Sequence, residues 1–339
     1  MRRLEELWMS SPELPAAEVE SWTDTTPRAP RIAVLAPCYN EEVAIPRVVG
    51  AFRSALPEAT VYVYDNNSRD RTQEAAAAAG AVVRRETQQG KGHVVRRMLA
   101  DIEADVYVLV DGDDTYDAAD ASAMISMLLN ERLDMVTGVR VTDEQGAYRP
   151  GHRLGNRVLT GVVRLVFGDR ITDMLSGYRV FSRRFAKSFP AMATGFETET
   201  EFTVHALELR MPVGELRTRY RERPPGSQSK LNTWRDGLRI LNAIGLLVRR
   251  ERPLAFFAAA ALALMLTAIA LAIPLVQTWL ETGLVPRLPT AVLSTGLVLL
   301  SFLALACGLI LDTVTRGRME VKRLAYLSIP APDFRLPNR

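Results

Sequence analysis

Short apolar runs alternate with amphipathic stretches through the first half of the chain. Residues 31–36 (Arg-Ile-Ala-Val-Leu-Ala) predict a first strand ended by Pro37, residues 61–64 a second, Val82-Val83 a third and residues 106–110 (Val-Tyr-Val-Leu-Val) a fourth. Between them, Pro46 with residues 48–56, the alanine run 75–79 closed by Gly80, and the stretch from Gln88 through Met98 predict helices. This alternation predicts an α/β fold with a mostly parallel sheet and helices on both faces. The fourth run is apolar on both faces, as an interior strand of such a sheet must be. The pattern then changes. Residues 254–276 and 289–311 are uncharged apolar runs, the first broken only by Pro274 near its end. Each meets the requirement of about 20 residues to cross a bilayer. They predict a transmembrane hairpin around a short loop holding Trp279, Glu281 and Arg287; a buried soluble hairpin is the alternative.

The overall charge, +3 over 339 residues, matters less than its placement. Arg249, Arg250 and Arg252 precede the first apolar run, and Arg316, Arg318, Lys322 and Arg323 follow the second. The positive-inside rule then puts both termini in the cytoplasm, giving a multi-pass protein of the inner or cytoplasmic membrane. Basic residues crowd the segment from Arg210 to Arg252, where a surface facing anionic lipid would sit. Because this segment leads straight into membrane, nucleic acid is not expected as a partner. Cys38 and Cys307 give neither a disulfide framework nor metal-ligand spacing, which suits a reducing compartment. Residues 1–30 read as a tail, and with no apolar stretch after Met-Arg-Arg no signal peptide is expected.

The candidate chemistry lies where the strands end. Asp111-Gly112-Asp113-Asp114-Thr115 follows the fourth strand directly. Ligands of open α/β sheets bind outside the carboxyl ends of strands, and carboxylates two apart can share one hard cation that carries substrate phosphates. The competing reading is a solvated turn in which Asp113 or Asp114 caps the next helix. Asp65 ends the second strand; it comes too early to cap a helix and is placed to hydrogen-bond a base or ribose, whereas Asn67 or Ser68 could cap. Gly90-Lys91-Gly92 is similar to a phosphate-facing loop, without the full P-loop pattern. All these clusters should line one crevice.

Taken together, Pro37-Cys38-Tyr39-Asn40-Glu41-Glu42, Asp65-Asn66-Asn67-Ser68 and Asp111-Gly112-Asp113 resemble an inverting family 2 glycosyltransferase. Ser176-Gly177-Tyr178-Arg179-Val180-Phe181 and the stretch from Arg223 through Ser229-Lys230-Leu231 narrow the likeness to dolichol-phosphate mannose synthases and polyprenyl-phosphate glycosyltransferases. The resemblance implies a GT-A fold, Rossmann-like with a mostly parallel sheet, over residues 31–229. An amphipathic interfacial helix (230–252), the hairpin (253–315) and a cytoplasmic tail (316–339) would follow. It further implies that Pro37, Tyr39, Glu41 and Asp65 hold the nucleoside, and that Asp111 and Asp113 meet the nucleotide diphosphate and Mg²⁺ or Mn²⁺. Arg140 and Arg153 would face the acceptor phosphate, and Arg223, Ser229 and Lys230 the pyrophosphate; Lys91 joins the nucleotide-binding set only through the Gly90-Lys91-Gly92 reading. The implied partners are a nucleotide-diphosphate sugar (a UDP-sugar, with GDP-mannose allowed), undecaprenyl or dolichyl phosphate, and membrane lipids, with a homo-oligomer through the hairpin. Thr115 stands where the branch often has Gln, which leaves its part in metal coordination open.

This chemistry needs no strong base. A lipid phosphate is ionised at neutral pH, so the site must mainly gather cations for two anions. His93, His152 and His205 are accordingly expected on solvent or helix surfaces. Glu197, Glu199 and Glu201 read as the acidic first turn of a helix, with Glu199 the one set to touch donor sugar hydroxyls. Leu154, Val158, Val162 and Val166 oppose Arg153, Arg157 and Arg164, and Trp234, Leu238, Leu241 and Val248 oppose Arg235, Arg239 and Asn242, a pattern that fits helices in the membrane interface, although core-packed helices show a similar stripe. Two rival activities remain: a haloacid-dehalogenase-type phosphatase with Asp111 as nucleophile, whose motif should follow the first strand, and a processive polysaccharide synthase, whose Gln-x-x-Arg-Trp motif and further spans are missing.

Overall fold

Seven strands form one sheet in the order β3-β2-β1-β4-β6-β5-β7. The computed structural model describes residues 29–141, 172–195, 197–221 and 252–330, with the single positions 161 and 249. Along the chain come β1 (Ile32–Cys38), α1 (Ile45–Ala55), β2 (Thr60–Asp65), α2 (Thr72–Ala78), β3 (Val82–Arg85), α3 (Lys91–Asp101), β4 (Val106–Leu109), α4 (Asp120–Asn130) and β5 (Met135–Val141). Then follow β6 (Arg179–Ser182), α5 (Arg183–Ser188), α6 (Thr198–Glu208), β7 (Val213–Arg219), α7 (Pro253–Thr282) and α8 (Leu288–Leu327).

The parallel core is as expected: β1 pairs with β2 and β4, and β2 with β3, all parallel. One strand departs. β6 runs antiparallel between β4 and β5, so β5 and β7 point the same way as β4. Helices cover both faces. Val94, Met98, Phe185, Phe189 and Phe202 pack against one, and Val48, Phe52, Ala76, Met124 and Leu128 against the other. β1 also runs through Pro37 rather than stopping there, pairing Pro37 with Tyr64 and Cys38 with Asp65. The Leu35 carbonyl accepts from Val110 on the β4 side, and two residues on the missing Pro37 N–H points to that same side. There β4 has already ended, so no ladder bond is lost.

The hairpin is built on a seven-residue repeat. Ser294, Ser301, Gly308 and Thr315 of α8 are buried, as are Ala261, Ala268 and Leu275 of α7. That spacing keeps one seam facing the partner helix. Ser294 and Ser301 donate to the Ala268 and Ala261 carbonyls at 3.0 and 2.8 Å, and Gly308 admits Phe257, whose Cβ would lie 2.9 Å from any added methyl. The outer faces are exposed and apolar, with Leu262, Leu266, Leu299, Phe302 and Leu303 among them. Helix α8 does not end with its apolar run. It continues through Arg316 and Arg323 to Leu327 and packs on α5. There Lys322 bonds Glu208 at 2.6 Å, Tyr326 donates to Asp134 at 2.8 Å, and Arg184 donates to the Tyr326 hydroxyl and the Ile329 carbonyl. Residues 316–327, expected as tail, are therefore helix.

Candidate active site

The carboxyl ends of β1, β2, β4 and β5 share one edge of the sheet, and the loops there are stitched together. Ser68 Oγ accepts from the Asn40 N–H, and Asn40 Oδ1 accepts from the Arg69 N–H. Asp70 accepts from the Glu42 N–H and Glu42 from the Arg71 N–H. Glu41, buried, starts α1 with its carbonyl and donates its N–H to Thr72. Asp65 is fully buried and, as expected, caps no helix; its carboxylate accepts from the Ser68 N–H and from Gln73 Nε2 at 2.8 Å. An Asp reaches a backbone N–H three residues on as readily as a cap does. Neither Asn67 nor Ser68 caps α2; Asp70 accepts from Thr72 there. Pro37 and Tyr39 lie half-buried on the same edge.

The acidic turn meets the rest of the crevice through Lys91. Its ammonium bonds Asp111 Oδ1 at 2.5 Å and also Glu199 Oε1. Burial works to lower the Lys91 pKa, but the Asp111 and Glu199 charges prevail and raise it. The glycines beside it pack against neighbouring backbone. Gly90, at φ +135°, abuts the Thr194 carbonyl and Gly92 the Ala193 carbonyl, each 2.1 Å from where a Cβ would stand. Gly177 presses on the acidic turn in the same way, an added Cβ falling 2.2 Å from Asp111 Oδ2. Gly112 leaves room for Cys38 Sγ. Burial pushes the Cys38 thiol well up, and the charges of Glu41, Asp65, Asp111 and Asp113 push it further. Asp113 is buried and accepts from Thr115 Oγ1 at 2.6 Å. It caps no helix, nor does Asp114, which is left-handed at φ +60° with Arg47 at 4.0 Å.

Arg140, at the end of β5, is gripped by Asp173 through two bonds of 2.8 and 2.7 Å. Burial alone would raise the Asp173 pKa; the bonds and charge of Arg140 hold it below the usual carboxylate range. Arg153, Arg223, Ser229 and Lys230 lie outside the described residues, as do His152 and all of the two expected interfacial helices but Gly161, Arg249 and Arg252. His205 is no surface residue. It sits between Phe185 and Phe189 with Nε2 at 3.2 Å from Ser188 Oγ, and burial, aided by the Lys322 charge, lowers its pKa to about 3.

A family model described as glycosyl transferase family 2 matches residues 33–189. Glycosyltransferase AglJ of Haloferax volcanii is 32% identical over 304 residues, covering 89% of this chain and 99% of that protein. The chain belongs to glycosyl transferase family 2. A Haloferax volcanii dolichyl-phosphate hexose transferase is 27% identical over 222 residues, 65% of this transferase and 95% of that one. Among solved structures, glucosyl-3-phosphoglycerate synthase from Mycobacterium tuberculosis, crystallised with Mn²⁺, UDP-glucose and phosphoglyceric acid, aligns with TM-score 0.51 at 23% identity over 69% of this chain and 86% of that one. That likeness and the strand order bear out the GT-A fold. Membership also sets the phosphatase reading aside.

Among the described residues no group of three or more His, Cys, Asp or Glu could hold a metal. Asp111 and Asp113 supply hard oxygens, and a Mg²⁺-like ion bound through one or two carboxylates takes the rest of its shell from phosphates and water. Sequence reasoning missed two partners, Asp173 and Tyr116. Asp173 carries no motif that marks it. The Tyr116 hydroxyl accepts from the Gly177 N–H. Arg179 is fully buried, donating to the Ser176 and Met174 carbonyls and to Thr203, and burial lowers its pKa to about 10; it lies inside the Ser-Gly-Tyr-Arg motif and builds the turn rather than the crevice.

Proposed function

We propose that the protein is a membrane-bound inverting glycosyltransferase that moves one hexose or N-acetylhexosamine from a nucleotide-diphosphate sugar to polyprenyl phosphate. The observation that carries this reading is the unbroken run of α8 from an apolar hairpin onto the body that holds the acidic edge. An acceptor with a lipid tail and a phosphate head suits that junction. The name of the dolichyl-phosphate hexose transferase relative supports the acceptor class, and the UDP-glucose complex of the structural neighbour supports a UDP-sugar, GDP-mannose being the alternative donor.

In this reading Pro37, Tyr39, Glu41 and Asp65 hold the nucleoside, and Asp65 does so from a loop it also braces. Asp111 and Asp113 would hold Mg²⁺ or Mn²⁺, which when bound neutralises charge on the leaving diphosphate. Gly177 and Tyr116 fix the Asp111 turn from behind. Lys91, Arg223, Ser229 and Lys230 face the pyrophosphate. Arg140, aimed by Asp173, and Arg153 bring the acceptor phosphate to the opposite side of the sugar, so attack inverts the anomeric centre without a protein base. Residues 31–229 form the catalytic part, 230–252 an interfacial helix and 253–315 the hairpin, with both termini cytoplasmic and copies able to pair through the hairpin. The test is a donor screen with one polyprenyl phosphate, read by product mass. A single added sugar is expected; loss of lipid phosphate without glycolipid would overturn the reading, and a multi-sugar product would favour a processive synthase.

A further inference from the structure

The Lys91 ammonium stands on Asp111, an oxygen ligand that a divalent ion would need. It is held there from the far side by Glu199, which is 5% exposed. The second Glu199 oxygen, Oε2, is buried with no hydrogen-bond partner among the described residues. A carboxylate kept half-satisfied in the interior is costly, and such sites persist where a further contact completes them. Asp111, Glu199 and Lys91 together carry a single net negative charge, and Asp113 adds another beside Asp111. We propose that Lys91 is a resident competitor for Asp111: it occupies the carboxylate until nucleotide diphosphate arrives, then passes to the diphosphate and leaves Asp111 to the divalent ion. Glu199 is the positioning residue that keeps Lys91 within reach of both. Metal and nucleotide are thereby made to bind together, because each removes the obstacle to the other. This inference rests on the nucleotide-sugar reading of the crevice and makes no use of the lipid acceptor.

The double variant Lys91→Met/Glu199→Gln removes one charge of each sign, so the net charge around Asp111 stays as it is while the competitor is gone. The experiment is Mn²⁺ titration of the purified full chain in detergent, followed by the electron paramagnetic resonance signal of free Mn²⁺, without nucleotide and then with UDP or GDP in separate arms. Without nucleotide the double variant should bind Mn²⁺ on the order of tenfold tighter than wild type. Nucleotide should tighten Mn²⁺ binding strongly in wild type and far less in the variant. Lys91→Met alone, which leaves both carboxylates, should exceed the double variant in nucleotide-free affinity. Equal or weaker Mn²⁺ binding by the double variant without nucleotide would overturn the proposal, as would an undiminished nucleotide effect. Failure of the lipid-acceptor reading would appear only in the product assay and leaves these titrations unaffected.

Discussion

Helix α6 carries a buried glutamate at each end, and each meets a lysine from far along the chain. Glu199, in the first turn, meets Lys91 in the crevice; Glu208, in the last turn, meets Lys322 on the helix that comes from the hairpin. The two pairs differ in kind. An anion at a helix N-terminus is favoured by the helix dipole, so Glu199 has support besides its lysine. Glu208 sits at the disfavoured end, and Lys322 is its main compensation. Lys91 is also shared with Asp111, whereas Lys322 serves one carboxylate. One pair is therefore built to be exchanged and the other to stay. The same helix ties the acidic edge to the apolar hairpin.

The contrast can be broken at several points. The largest effect should come from Asp113→Asn, which removes a charge from the acidic edge while keeping the shape that accepts the Thr115 hydroxyl. Turnover should fall on the order of a thousandfold with the melting temperature little changed; unchanged turnover would remove Asp113 from the chemistry. Gly177→Ala comes next, because its methyl collides with Asp111 Oδ2. A displaced carboxylate should lower kcat/KM on the order of a hundredfold in steady-state assays. Lys322→Met tests the staying pair. It leaves Glu208 buried against the dipole, and since Lys322 is itself 24% exposed the stability loss should be about 2 kcal/mol, read by thermal melting in detergent, with KM for the donor unaffected.

The smallest effect is one of pH. The His205 pKa is about 3 in the folded chain against an ordinary value of 6.5. Below 6.5 the unfolded chain binds a proton that the folded chain refuses, so stability should fall as pH drops from there toward 3. His205→Gln should flatten that slope in melts across this range; an identical slope would mean other groups set it.

The residues explain how much of this could be read in advance. Strands β1, β2 and β4 are continuous apolar runs that end on polar clusters, so the parallel core and the polar edge where its strands end were legible, as were the two apolar helices. Strand β6 was not. Arg179-Val180-Phe181-Ser182 is four residues long and opens with an arginine, and its burial depends on Met174, Ser176 and Thr203 accepting from that guanidinium. Lys91 and Glu199 are 108 positions apart, and no local pattern pairs them. The charges from Arg316 onward read as a solvated tail, because only the tertiary contacts of Lys322 and Tyr326 reveal that the helix goes on. Local periodicity shows where elements form, and long-range ion pairs decide what they do.

The central claim is that the hairpin brings the acceptor to the acidic edge. The most direct measurement offers the full chain, with the donor found in the screen, a polyprenyl phosphate and a water-soluble phosphorylated acid such as phosphoglyceric acid as competing acceptors. Transfer to the lipid alone is predicted. Transfer to the soluble acceptor at a comparable rate would contradict it.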